Sequence, residues 1–120
     1  MKFYADFHIH SKYSRATSKD LNFEALYLWA QLKGIQVVAT GDFLHPAWLK
    51  EIKTKLEPAE QGLFRLKKEF AKKVDPEMPA SCRGDVRFIL SVEISNIYKR
   101  LDAVRKVHNV VLAPSVDVAE

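Results

Sequence analysis

FYADFHIHSKYS, residues 3–14, is the stretch from which the rest of the chain is read. An aromatic and apolar run begins three residues from the start and then alternates into Asp6, His8 and His10. In a strand, residues two apart project from the same face and sit roughly 6.5–7 Å apart along the chain. A strand packed into a core has little use for three such side chains on one face; a metal site does. Two imidazoles at this spacing can pinch one divalent ion through bonds of about 2 Å. Asp6 then serves as a further ligand, or orients a histidine from behind. The alternative is a pair of histidines at a strand end, hydrogen-bonded to backbone or solvent, and the HxH pattern alone does not separate the two.

Moving outward, residues 11–20 are polar and form a loop. Asp20 is placed to cap a helix over residues 21–33, where Leu21, Ala25, Leu28, Trp29 and Leu32 recur at helical spacing and Gly34 ends the element. IQVVAT (35–40) is a near-continuous apolar strand of the kind buried on both faces of a parallel sheet. Pro46 opens a helix running to about Leu56. EPAEQG (57–62) punctuates, LFRLKKEFAKKV (63–74) reads as an amphipathic helix with a lysine-rich outer face, and residues 75–85 form a linker. VRFILSVEIS (86–95) and VHNVVLAPS (107–115) are the third and fourth strands. This alternation predicts an α/β fold of about four parallel strands with intervening helices. The closing SVDVAE reads as the start of a helix, which would leave a strand edge uncovered. Residues 1–120 are therefore expected to be the amino-terminal portion of a larger domain, lacking its second half and able to form a homo-oligomer through the exposed edge.

Three further segments carry acid and imidazole side chains. TGDFLHP (40–46) also follows a strand, which puts Asp42 and His45 at the same carboxyl edge as His10. Glu93 is embedded in FILSVEIS, where a carboxylate is unfavourable unless paired or metal-bound. His108 opens the fourth strand, and in a parallel strand it would lie at the wrong end. Ligand sites of parallel α/β architectures gather at the carboxyl ends of the strands. Singly, Asp42 could cap the next helix, His45 could be surface and Glu93 could pair with a lysine. Together the pattern favours a metal cluster drawn from Asp6, His8, His10, Asp42, Glu93 and His108.

The hydrophobic fraction of 48% and charged fraction of 28% are those of a soluble globular protein. No apolar run approaches the roughly 20 residues that span a bilayer, so no membrane association is expected. The chain turns polar at its sixth residue, unlike a secretory signal. A single cysteine, Cys82, permits no internal disulfide and fits a reducing, cytoplasmic setting. Nineteen basic against 15 acidic residues give a formal charge of +4, which allows a phosphate-bearing partner without requiring one. For DNA, the candidate phosphate contacts are Lys12, Arg15 and Lys19 in the first loop and Lys99, Arg100, Arg105 and Lys106 before the fourth strand. Tyr13 and Tyr98 lie among them and could stack on bases.

Taken together, DFHIHSKYS, TGDFLHP, VEIS and VHNVVLAP resemble the polymerase and histidinol phosphatase (PHP) superfamily of metal-dependent phosphoesterases, and within it the DNA-repair endonucleases. The resemblance implies a distorted (β/α)7 barrel, of which this chain would be the first part, and two or three metal ions. It implies that His8 and His10 hold a first metal, that Glu93 bridges it to a second, and that His108 binds the second. His8, His10 and Glu93 would then carry catalysis. Asp42 matches the superfamily's aspartate after the second strand, but Phe43 stands where a histidine is usual, leaving His45 as a substitute. Ala16 falls where a third-metal ligand is often found. The implied chemistry is in-line hydrolysis of a phosphodiester near a deaminated base, with ions about 3.5–4 Å apart. His, Asp and Glu ligands suit zinc, manganese or iron alike. Because this chain offers a second ion only Glu93 and His108, weak nuclease activity or none is expected of the 120 residues alone. Two other classes stay open: a non-catalytic fragment, and a phosphatase acting on a small phosphomonoester.

Overall fold

The computed structural model describes all residues, Met1–Glu120. Its elements are β1 (Ala5–Asp6), α1 (Phe23–Lys33), β2 (Val37–Ala39), α2 (Pro46–Lys55), β3 (Leu56–Pro58), β4 (Phe64–Leu66), α3 (Lys68–Val74), β5 (Arg87–Arg100), β6 (Ala103–Ala113) and α4 (Val116–Ala119). Two short 3-10 turns, Asp75–Glu77 and Ala80–Cys82, bridge α3 to β5.

The sheet is mixed, in the order β1-β2-β5-β4-β3, with β6 paired to β5 beyond this path. β1, β2 and β5 run parallel, with Val37–Ala39 in register with Arg87–Ile89. β3 and β4 form an antiparallel hairpin that joins β5 through Phe64 and Phe88. The expectation of four parallel strands is thus corrected: three are parallel, and β6 returns antiparallel along β5 from Leu90↔Ala113 to Arg100↔Ala103. The reversal occurs at Leu101 and Asp102, both left-handed at φ 51° and 59°. That is the conformation of a tight two-residue hairpin turn, although Asn-Gly or Asp-Gly usually supplies it.

Local sequence accounts for most element ends. Asn22, rather than Asp20, caps α1, its Oδ1 accepting the Ala25 N–H at 2.8 Å. Gly34, at φ 71°, closes the helix in the left-handed region. The buried face of α1 is Phe23, Leu26 and Ala30, while Trp29 and Leu32 are exposed. The helix is apolar nearly all round, so spacing alone does not choose the face that packs. LFRLKKEFAKKV likewise divides: Phe64–Leu66 is strand, and the helix begins only at Lys68.

The core gathers where α1 and α2 cover the sheet. Phe23 stacks on Trp48 with ring centroids 4.3 Å apart and meets Phe88 edge-on at 5.5 Å. All three are fully buried, with Ile52 and Leu90 beside them. Each such side chain stabilises the fold by about 1.5–3 kcal/mol through removal from water. The parallel strands are thereby fixed with their carboxyl ends at one edge.

Candidate metal centre

Three segments meet at that edge. Past β1, Asp6 Oδ1 accepts the His8 N–H at 3.1 Å, which turns the chain out of the strand. His8 and His10 follow in the loop, not in a strand as their alternation predicts, with rings 5.5 Å apart and inclined by 65°. Past β2 comes the Gly41–Asp42 turn, with both residues left-handed at φ 65° and 46°. A Cβ on Gly41 would stand 2.4 Å from the Ile9 carbonyl oxygen, so only glycine allows the two loops to approach this closely. Buried donors hold the turn: Gly41 N–H donates to Ser91 Oγ at 2.9 Å, and Trp48 Nε1–H donates to the Thr40 and Gly41 carbonyls at 3.0 Å each.

Glu93 arrives from β5, beyond the point where β2 ends. Its Oε2 lies 3.0 Å from both His8 Nε2 and His10 Nε2. Its Oε1 is hydrogen-bonded to His108 Nδ1. The antiparallel course of β6 is what brings His108 here, since it pairs opposite Ser95, two residues along from Glu93 on the same face of the hairpin. Hydrogen bonds from His8 and His108 hold the Glu93 carboxyl far below its ordinary range, at about 2.

Asp42 works from behind. Its Oδ2 accepts both the backbone N–H and the hydroxyl of Ser11 at 2.7 Å, and its Oδ1 lies 3.2 Å from His10 Nδ1. That contact places the His10 proton on Nδ1, as a carboxylate partner requires. Nε2 is then left facing a carboxylate oxygen at 3.0 Å. In that tautomer Nε2 presents its lone pair to the space shared with His8 and Glu93, as a metal ligand would.

The donor set fits a divalent ion. Ligand atoms of His8, His10 and Glu93 lie within 4.8 Å of one another. Metal–ligand arms of about 2.0–2.1 Å in a tetrahedron set donor pairs about 3.3–3.4 Å apart, so the observed 3.0 Å contacts need only slight opening. A carboxylate holding the outer nitrogen of a ligating histidine, as Asp42 does, is the usual support of such a site.

Other expected residues are placed differently. Asp6 and His45 stand outside the three-residue group; His45 lies flat against Tyr13, with centroids 4.3 Å apart. Phe43 is buried in the core. Lys12 is paired with Glu51 at 2.6 Å, and Tyr13 donates to the same carboxylate at 3.0 Å. Arg15, Lys19, Lys99 and Arg100 are exposed. Ser11, Thr40, Gly41 and Ser91 were not among the sequence candidates. Their one signal is position, directly after HxH or around the ends of β2 and β5.

This geometry can be set beside that of known proteins. The chain is similar to endonuclease Q. The lesion-specific endonuclease Q of Pyrococcus furiosus matches 76% of it at 35% identity, with a TM-score of 0.58. A second structure, endonuclease Q with a 27-mer duplex substrate carrying an abasic lesion at the active site, matches 96% at 30% identity, with a TM-score of 0.67. The chain spans 18% and 23% of those two proteins. It is also 50% identical over 48 residues to an uncharacterized protein of Methanocaldococcus jannaschii, of which it spans 6%. No family model matches it. The mixed sheet with its flanking helices is thus an arrangement shared with endonuclease Q.

Proposed function

We propose that this chain supplies a divalent-metal centre for phosphodiester hydrolysis on DNA, in the manner of a PHP-type repair endonuclease. The observation that carries the reading is the convergence of His8 Nε2 and His10 Nε2 on one Glu93 oxygen while Asp42 takes the outer proton of His10. Likeness to an endonuclease solved with duplex substrate supports DNA as the partner. His8, His10 and Glu93 would hold a first ion, and Glu93 with His108 would offer two donors to a second. When bound, such ions supply Lewis-acid polarisation of a phosphoryl oxygen and a nucleophile at neutral pH. The chain's own part is to keep Glu93 ionised, to aim His10 through Asp42, and to hold both loops close through Gly41. Zinc, manganese and iron all suit this set.

Titration calorimetry with manganese or zinc tests the reading, on the parent chain and on His8→Ala/His10→Ala. The parent is expected to bind, and the double variant to lose that binding. Binding that the double variant retains, or none by the parent, would overturn the proposal. Cleavage of abasic or uracil-containing DNA by the 120 residues is expected to be slow, since a catalytic ion usually keeps three protein ligands.

A further inference from the structure

β5 and β6 leave the body together. From Ile94 to Leu112 nearly every residue of the hairpin is exposed. Residues directly opposite in an antiparallel pair share a face, and the face alternates at each step. The pairing therefore sorts the ribbon's charges. One face carries Glu93↔Val110, Ser95↔His108, Ile97↔Lys106 and Lys99↔Val104; the other carries Tyr98↔Arg105 and Arg100↔Ala103. The contact between His108 and Glu93 marks the first as the metal-bearing face.

We infer that this metal-bearing face is a nucleic-acid backbone track, in which Lys106 and then Lys99 hold successive stretches of the strand whose phosphodiester lies at the metal centre. Lys106 is one same-face step of roughly 6.5–7 Å beyond His108, and Lys99 lies three such steps, about 20 Å, beyond Glu93. That distance is the rise of about six base pairs. Charge complementarity names the occupant. Neither lysine is in an ion pair, and nor are Arg100 and Arg105, while Asp102 at the turn is the one acid between residues 94 and 107. Each lysine has an exposed aliphatic partner across the rung, Ile97 at 68% and Val104 at 65%, so no carboxylate stands opposite either lysine to compete with a phosphate. The inference rests on the proposed action on DNA and specifies which two lysines of the ribbon serve it. Arg100 and Arg105, on the far face, are assigned no such contact.

The test is fluorescence anisotropy of a labelled duplex with a central abasic site, in EDTA, from 50 to 200 mM salt. Three variants are compared: Lys99→Gln/Lys106→Gln, Lys99→Arg/Lys106→Arg and Arg100→Gln/Arg105→Gln. The first and third remove the same charge from exposed positions, and far-UV circular dichroism checks that each ribbon is folded. The lysine-to-glutamine pair is expected to lower the slope of log affinity against log salt by about 2, one per phosphate contact, with the arginine pair close to the parent. The lysine-to-arginine pair should restore the slope. Equal losses from the two glutamine pairs, no loss from either, or no binding by the parent would overturn the track. Metal titration of the His8→Ala/His10→Ala variant reports on the hydrolytic reading separately, because it needs no DNA.

Discussion

β5 is one strand with two lives. From Phe88 to Val92 it lies in the body: Phe88 and Ile89 pair with β2, Phe88 also with β4, Leu90–Val92 with β6, and Phe88, Leu90 and Val92 are buried in the core. From Ile94 to Arg100 it is half of a two-stranded ribbon, held by β6 alone and open to solvent on both faces. Glu93 stands at the change from one to the other. The body is stabilised by apolar burial, the ribbon chiefly by its hydrogen-bond ladder, and the candidate site occupies the seam. A rigid body therefore fixes His8, His10 and Asp42, while the ribbon delivers Glu93 and His108.

The largest test of this contrast is a pair of truncations. Phe88→Ala is expected to destabilise the chain by about 3–5 kcal/mol, as for buried phenylalanines elsewhere, whereas Val104→Ala, which is 65% exposed, should stay within about 0.5 kcal/mol. Urea unfolding of both variants checks it; a comparable loss at Val104 would mean that the ribbon packs against something. Next in size, Asp42→Asn keeps the shape of the turn but offers His10 an amide in place of a carboxylate. Metal affinity measured by calorimetry should fall by about 10–100-fold, the usual loss when such a support is removed. An unchanged affinity would show that His10 is not aimed by Asp42.

The smallest effect lies under the first loop, in the body. Burial tends to raise the Glu51 carboxyl, but hydrogen bonds from Lys12 and Tyr13 outweigh it and hold the group below its ordinary 4.5. A carboxyl lowered on folding contributes stability above its unfolded value and loses it as pH falls through the folded one. Between pH 6 and pH 3, the parent is therefore expected to lose more stability than Glu51→Gln, in a comparison of urea midpoints. Parallel acid profiles would show that the Lys12–Glu51–Tyr13 contacts add nothing to folding.

Much of the site was legible because its residue types are out of place in their context. An acid inside FILSVEIS and two histidines ending an apolar run are unfavourable without partners, and chemistry of that kind shows in one dimension. The direction of β6 does not. VHNVVLA has the same alternation read either way, and Leu101-Asp102 lacks the glycine that usually announces a two-residue hairpin. His108 consequently looked misplaced, although the reversal is what carries it to Glu93. In α1, the excess of apolar residues hid the packed face, and only the neighbours Trp48 and Phe88 select Phe23. Ser11 and Gly41 were missed for another reason: Ser11 donates its N–H and hydroxyl to Asp42, and Gly41 allows a close backbone approach, roles that residue type alone does not reveal.

Because Glu93 and His108 sit at the root of a ribbon that shares its first strand with the sheet, the hairpin is geometrically a lever. Its load arm extends about 20 Å from Glu93 to Lys99. The fulcrum is the Phe88–Val92 segment clamped in the core. Glu93 and His108 belong to the arm, while His8 and His10 belong to the loop that Gly41 lets approach closely. The two halves of the cluster thus meet across the joint between arm and body, where His8 and His10 stand 3.0 Å from Glu93.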